Sequence, residues 1–178
     1  MRIYVARHGQ TQWNVDLMVC GRTDIPLTEL GLRQAQLLAK EADGLGITRI
    51  ISSPMLRTRQ TAAAVAERHQ IPVSTDERLI EQDYGECEGV YRLDPVFLKC
   101  KRNFAVRYPG GESMLDLACR VYAFLDELPM RYPKETILLV CHGGVMRSIR
   151  TYFEDLSNEA YFCYSADNAK LECYDYPT

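Results

Sequence analysis

Residues 3–9 read Ile3-Tyr4-Val5-Ala6-Arg7-His8-Gly9. Four apolar residues in a row, too short for a helix and without alternation, fit a strand buried on both faces of a parallel sheet. The run then breaks into a cation, an imidazole and a glycine. The same order recurs twice: Ile50-Ile51 runs into Ser52-Ser53-Pro54, and Ile137-Leu138-Leu139-Val140 into Cys141-His142-Gly143-Gly144. Ligands of parallel sheets bind beyond the carboxyl ends of the strands, so three parallel strands of this kind would bring their polar clusters to one edge. Two of the three histidines fall in those clusters. A single strand-end histidine reads as an ordinary satisfied polar group. Two in matched positions, each followed by glycine and one beside an arginine, point to a functional site. His69, near a helix end, reads as structural.

The segments between these strands are helical. Thr28 caps a helix with Glu29 in its first turn, Ala35, Leu38, Ala39 and Ala42 form its buried face, and Gly44 ends it. Ser53 reads as an N-cap with Pro54 in the first helical position. Pro72-Val73-Ser74 suggests a short outer strand. Residues 79–108 carry turn signals at Gly85 and Gly89 and then a helix. Ser113 and Asp116 form a capping box for a helix with the stripe Met114, Ala118, Val121, Leu125 and Leu128. Thr136–Cys141 is the clearest buried strand. A helix to about Phe153 follows, and Leu171-Glu172-Cys173-Tyr174 alternates like a final strand. The expected fold is one α/β domain over residues 1–178, a mostly parallel central sheet with helices on both faces and a small lid at about residues 90–112.

Composition narrows the function classes. With 178 residues, 47% hydrophobic and 25% charged, the chain can bury a full core. Its 21 basic and 24 acidic residues leave a net charge of -3, which argues against nucleic acid or a polybasic membrane contact. No apolar run approaches the roughly 20 residues of a membrane span, and no signal segment opens the chain. Seven cysteines without a C-x-x-C pair suggest free thiols in the cytoplasm rather than a disulfide framework or a zinc ribbon.

Arg7-His8-Gly9-Gln10-Thr11 with Trp13-Asn14 resembles the R-H-G motif of the histidine phosphatase superfamily, in its phosphoglycerate mutase-like branch. Further segments match in order: Leu27-Thr28-Glu29 with Gly31, Ser52-Ser53-Pro54 with Leu56-Arg57, Arg78-Leu79 with Glu81, Gly85-Glu86 with Glu88-Gly89, Gly110-Gly111-Glu112-Ser113 and His142-Gly143-Gly144. The resemblance spans essentially the whole chain. It implies a three-layer phosphoglycerate mutase-like fold and phosphoryl transfer through a phosphohistidine on His8, with Arg7, Arg57 and His142 around the phosphoryl oxygens. Glu81 becomes the proton donor and acceptor, and Asn14, Thr11 and Gly143 become binding residues. No cofactor or metal is implied.

These residue types suit that chemistry. A neutral imidazole is the nucleophile, nearby guanidiniums disfavour its protonation and can fork onto phosphate oxygens, and one carboxyl group can serve both half-reactions. At about 100° per residue, Arg57 and Arg59 lie on opposite sides of their helix, so only one can face the pocket. The resemblance selects Arg57. Asp83, Glu86 and Glu88, read alone, are solvated loop charges.

Two departures matter. Cys87 stands where the family often has Trp. Cys141 opens a rival pattern, since Cys141 through Arg147-Ser148 satisfies C-x5-R-[S/T], the loop of cysteine-dependent phosphatases. That pattern leaves Arg7, His8 and Glu81 unexplained. Only about 20 residues separate Gly89 from Gly110, little room for a cover that would keep water from a phosphohistidine. The expected activity is therefore hydrolysis of a small phosphorylated metabolite, most like the short broad-specificity and α-ribazole phosphate phosphatases. The alternatives are a phosphoglycerate mutase-type transfer and a non-catalytic phosphoester-binding protein. The basic and aromatic residues of 90–112 read either as a selector for an anionic or ring-bearing substrate or, preferably, as an amphipathic helix with a solvated face.

Overall fold

In the computed structural model, which describes residues 1–176, the register of the central strand β4 (Thr136–Cys141) organises the molecule. β4 lies parallel to β1 (Arg2–Arg7), pairing Val5 with Leu139 and Arg7 with Cys141, and parallel to β2 (Arg49–Ser52), pairing Ser52 with Val140. β3 (Val73–Thr75) extends the sheet beside β2, and β5 (Leu171–Asp175) closes it antiparallel to β1, giving the order β3-β2-β4-β1-β5. The three strands that end in polar clusters are thus adjacent and run the same way. The last two residues of the expected 1–178 domain lie outside the described residues.

Side chains alternate across a strand, and the core divides accordingly. Ile3, Val5, Ile51, Ile137 and Leu139 pack on one face with α5 (Met114–Arg131) and α6 (Gly143–Phe153). Tyr4, Ala6, Ile50, Leu138 and Val140 pack on the other with α2 (Glu29–Glu41) and α3 (Leu56–His69). Both faces of the sheet are therefore buried, which is why the strands read as unbroken apolar runs. Leu138 is wholly buried, and Leu138→Ala would cost about 2–5 kcal/mol.

The short elements complete the frame: α1 (Gln12–Val15), α4 (Pro95–Lys101) and α7 (Asn158–Cys163). The helix expected before Gly110 spans only seven residues in α4, capped by Asp94 with Pro95 at its start. The Ser113–Asp116 capping box forms as read. Ser53 does not cap α3. Its amide donates to Val140 O at 2.9 Å, which prolongs the strand pairing past β2 and postpones the helix to Leu56. The cap comes from afar instead, with Asp24 Oδ1 accepting the Leu56 amide at 2.7 Å.

Candidate active site

β1 ends by placing Arg7 and His8 beside the end of β4, where the His8 amide donates to Cys141 O at 3.0 Å. His8 is 4% exposed. Its Nδ1 lies 2.7 Å from Gly9 O. A carbonyl only accepts, so Nδ1 carries the hydrogen and Nε2 keeps its lone pair. Burial first, then the positive charges of Arg7 and Arg57, hold the imidazole pKa well below its usual 6.5. His8 is a neutral base with one defined free nitrogen.

Glu81 faces it from the segment after residues 77–79, and is also buried. Its two oxygens accept the amides of Gln82 and Gly144, each at 2.9 Å. The second of these belongs to the first turn of α6, so the side chain is held by main-chain amides from two separate segments. A Cβ on Gly144 would sit 2.5 Å from Glu81 Oε1, so the approach requires glycine there.

Arg57 and His142 lie deeper. Both are wholly buried. Arg57 Nε donates to His142 Nδ1 at 3.2 Å, while Nη1 and Nη2 donate to Thr23 O and Gly21 O at 2.9 and 2.6 Å. The His142 ring stands edge-on to His8, centroids 5.3 Å apart. Arg59 is exposed, as the helical phase required. Loop 21–23, which supplies the two carbonyls, is gathered by Glu88: the carboxylate accepts the amides of Gly21, Arg22 and Thr23 and the Thr23 hydroxyl. Glu88 is a loop clamp rather than the solvated charge expected. Asp83 likewise accepts the Gly85 amide and pairs with Arg22, whereas Glu86 is exposed.

A cavity of about 210 Å³ opens over this floor, and Arg7, His8, Asn14, Glu81 and Gly143 all line it. Thr11 does not. It is fully buried, and its hydroxyl accepts the Asn14 amide while Asn14 Oδ1 accepts the Thr11 amide. That capping box ties the side chain to α1, and Thr11, expected as a binding residue, lies outside the cavity lining. Cys141 is also shut away. Its thiol is wholly buried in the core, and burial pushes its pKa far up, so it lacks the exposed thiolate that a cysteine nucleophile needs.

Sequence reasoning missed Asn168, whose Nδ2 donates to His8 O at 2.8 Å and to Asn14 Oδ1 at 3.4 Å. Arg7 is tied to the same segment, Nη1 donating to Ala166 O at 2.8 Å. No local pattern marks these residues, because their partners lie 160 and 159 positions away. The segment expected as a lid contributes Arg92, Phe97, Lys101 and Tyr108 to the cavity wall. Its remaining cations Lys99, Arg102 and Arg107 are exposed. Among the described residues no three His, Cys, Asp or Glu side chains gather to hold a metal ion, and no helix is long and apolar enough to cross a membrane.

A doubly covered parallel sheet with paired histidines, arginines and a carboxylate at one edge defines a phosphoryl-transfer enzyme of the phosphatase class. The chain belongs to the histidine phosphatase superfamily, branch 1, whose family model matches residues 3–178. It is 34% identical over 183 residues, 99% of this chain and 85% of the relative, to the "Probable phosphoglycerate mutase GpmB" of Yersinia pestis (strain Pestoides F). Among solved structures it resembles a mycobacterial glucosyl-3-phosphoglycerate phosphatase complexed with VO3, at TM-score 0.87 and 29% identity over 97% of this chain and 90% of that one. It also resembles the α-ribazole phosphatase of Shigella flexneri, at TM-score 0.86 and 27% identity over 98% and 90%.

Proposed function

We propose that the protein is a metal-independent phosphomonoester hydrolase that works through a phosphohistidine on His8. The observation that carries this reading is the His8 ring: buried, neutral, with Nδ1 committed to Gly9 O and Nε2 free, in a cavity that Arg7 and Glu81 also line. In the first step the Nε2 lone pair attacks phosphorus, the P–O ester bond breaks, and the departing alkoxide takes a proton from the Glu81 carboxyl group. In the second, water gives its proton to the Glu81 carboxylate and attacks phosphorus, breaking the P–N bond and releasing phosphate. Arg7 stabilises the charge on the equatorial oxygens, a contribution of about a hundredfold or more. Arg57 and His142, expected around the same oxygens, lie outside the cavity lining with their N–H groups turned to Thr23 O, Gly21 O, each other and Ser53 Oγ, and act from behind the floor by holding it in place. Asn14 and Gly143 bind the phosphoryl group from the cavity wall.

The substrate is a small phosphorylated metabolite, in keeping with the cavity's size and with the phosphatase relatives. A mutase reading draws on the GpmB relative. It is disfavoured by the slight cover over the cavity, one seven-residue helix within residues 90–112, since a phosphohistidine reached by water is hydrolysed. A cytoplasmic location belongs to the same proposal, supported by seven cysteines that are all free thiols.

The test is hydrolysis of p-nitrophenyl phosphate in excess chelator from mildly acidic to neutral pH. Turnover is expected; its absence would sink the phosphatase reading. A phosphoglycerate mutase assay with bisphosphate primer separates the alternative.

A further inference from the structure

Asn168 lies outside the cavity lining, yet its one amide nitrogen touches both the main chain of His8 and the side chain of Asn14. Nδ2 carries two hydrogens. It donates to His8 O at 2.8 Å and to Asn14 Oδ1 at 3.4 Å. Asn14 Oδ1 also accepts the Thr11 amide at 3.1 Å. Both lone pairs of that oxygen are therefore taken, and by donors alone.

That pattern decides which way the Asn14 amide faces. Turned over, its NH2 group would meet the Thr11 N–H and the Asn168 NH2 group, hydrogens against hydrogens. As it stands, Nδ2 has no protein partner among the described residues, and Asn14 lines the cavity. The side chain thus offers the cavity N–H donors and no acceptor, the form that suits an anionic phosphoryl oxygen. The opposite orientation would set a carbonyl oxygen against that anion.

The turn that carries Asn168 is strained and firmly fastened. Ala169 has φ 51°, in the left-handed region that a residue with a Cβ enters at an energetic penalty. Its amide donates to Arg7 O at 3.0 Å, and Ala166 O accepts Arg7 Nη1 at 2.8 Å. Together with the bond from Asn168 to His8 O, these contacts fix residues 166–169 against Arg7 and His8. Surroundings that hold a strained turn in place also hold Asn168 in reach of Asn14.

Resting on the phosphatase reading above, which makes Asn14 a ligand of the phosphoryl group, we propose that Asn168 is a positioning residue for the reaction. It locks the Asn14 amide with its N–H hydrogens toward the phosphoryl oxygens. Asn168 itself touches neither the substrate nor the reacting atoms and acts through Asn14.

The experiment is a double-mutant cycle on the full chain, read by calorimetric binding of orthovanadate and by kcat/KM for p-nitrophenyl phosphate. Asn168→Leu keeps the approximate size of the side chain and removes its donor. Alone, it should weaken orthovanadate binding about tenfold or more. In an Asn14→Ala background the same substitution should change affinity by less than about twofold. A turn that only supports the fold would cost the same in both backgrounds, so equal losses overturn the positioning role. Wild-type affinity in Asn168→Leu overturns it too, as does a wild-type enzyme that does not bind orthovanadate. If the leucine variant does not fold, Asn168→Asp repeats the cycle, since repulsion from its charge acts in both backgrounds and cancels. Non-additive binding without turnover of any ester removes the phosphatase reading and keeps the role of Asn168. Turnover with equal losses does the reverse.

Discussion

Arg57 and His142 meet through a single hydrogen bond in which Nε donates to Nδ1 at 3.2 Å. The acceptor nitrogen must be bare, so the hydrogen of this neutral ring sits on Nε2 and is donated to Ser53 Oγ, 2.9 Å away. Three strand ends are thereby joined: Ser53 after β2, His142 after β4 and, through ring contact, His8 after β1.

Breaking this chain at either end should be costly in different ways. Ser53→Ala leaves the buried Nε2 hydrogen without an acceptor, and chemical denaturation should register a loss of about 1–3 kcal/mol. Arg57→Lys keeps the charge but abandons the three-way fork, so kcat on p-nitrophenyl phosphate should fall about a hundredfold. Wild-type kcat in Arg57→Lys would remove Arg57 from the site.

The nucleophile can be assigned directly. His8→Ala should abolish turnover and the acid-labile phosphoenzyme, while Cys141→Ser should stay within a few-fold of wild-type kcat and lose about 1–3 kcal/mol of stability from a hydroxyl placed in the core. An active His8→Ala beside a dead Cys141→Ser reverses the assignment.

Glu81→Gln retains an acceptor for the Gly144 amide but cannot carry a proton. Alkyl phosphates should lose about 10²–10⁴ in kcat/KM, and p-nitrophenyl phosphate, whose leaving group departs without protonation, markedly less. Equal losses on both would argue that Glu81 holds structure rather than protons.

Acid should destabilise the fold before the carboxylates titrate. His8 and His142 are both held well below 6.5 by burial and by neighbouring arginines. As pH drops below the unfolded value of about 6.5, the unfolded chain takes up protons that the native rings refuse, so stability rises with pH there and levels off above it. Unfolding midpoints should therefore fall between about pH 6.5 and 5, and less steeply in His8→Asn. A flat profile in wild type contradicts this.

Glu88→Ala, at a residue outside the cavity lining, should lower kcat through loop 21–23 and Arg57, and restoration by Glu88→Gln should be partial. Unchanged kcat would mean that Arg57 holds its place without the clamp.

What could be read beforehand was what short sequence spacing controls. The apolar runs of β1 and β4 and the Ser113–Asp116 cap depend on neighbours a few positions apart, and they stand where the sequence places them. Ser53 was misread because an N-cap and a strand extension look alike until Val140 is known to lie opposite. Thr11 sits inside the R-H-G segment that resembles the family's motif, and its hydroxyl caps the local turn from outside the cavity lining. Glu88 and Asn168 act across 65 to 160 positions of chain, and residue type alone carries no trace of that. Arg147 stood out only within the cysteine pattern, for a reason unrelated to its place in the cavity wall.

The tether between Arg7 and Ala166 and that between His8 and Asn168 have a consequence for biosynthesis. Chains emerge from the ribosome amino end first, so the imidazole is made some 160 residues before its restraint at Asn168. Until residues 166–168 arrive, Arg7 lacks its Ala166 acceptor and the His8 carbonyl its Asn168 donor. A chain cut before residue 166 would carry the motif without these two restraints on Arg7 and His8.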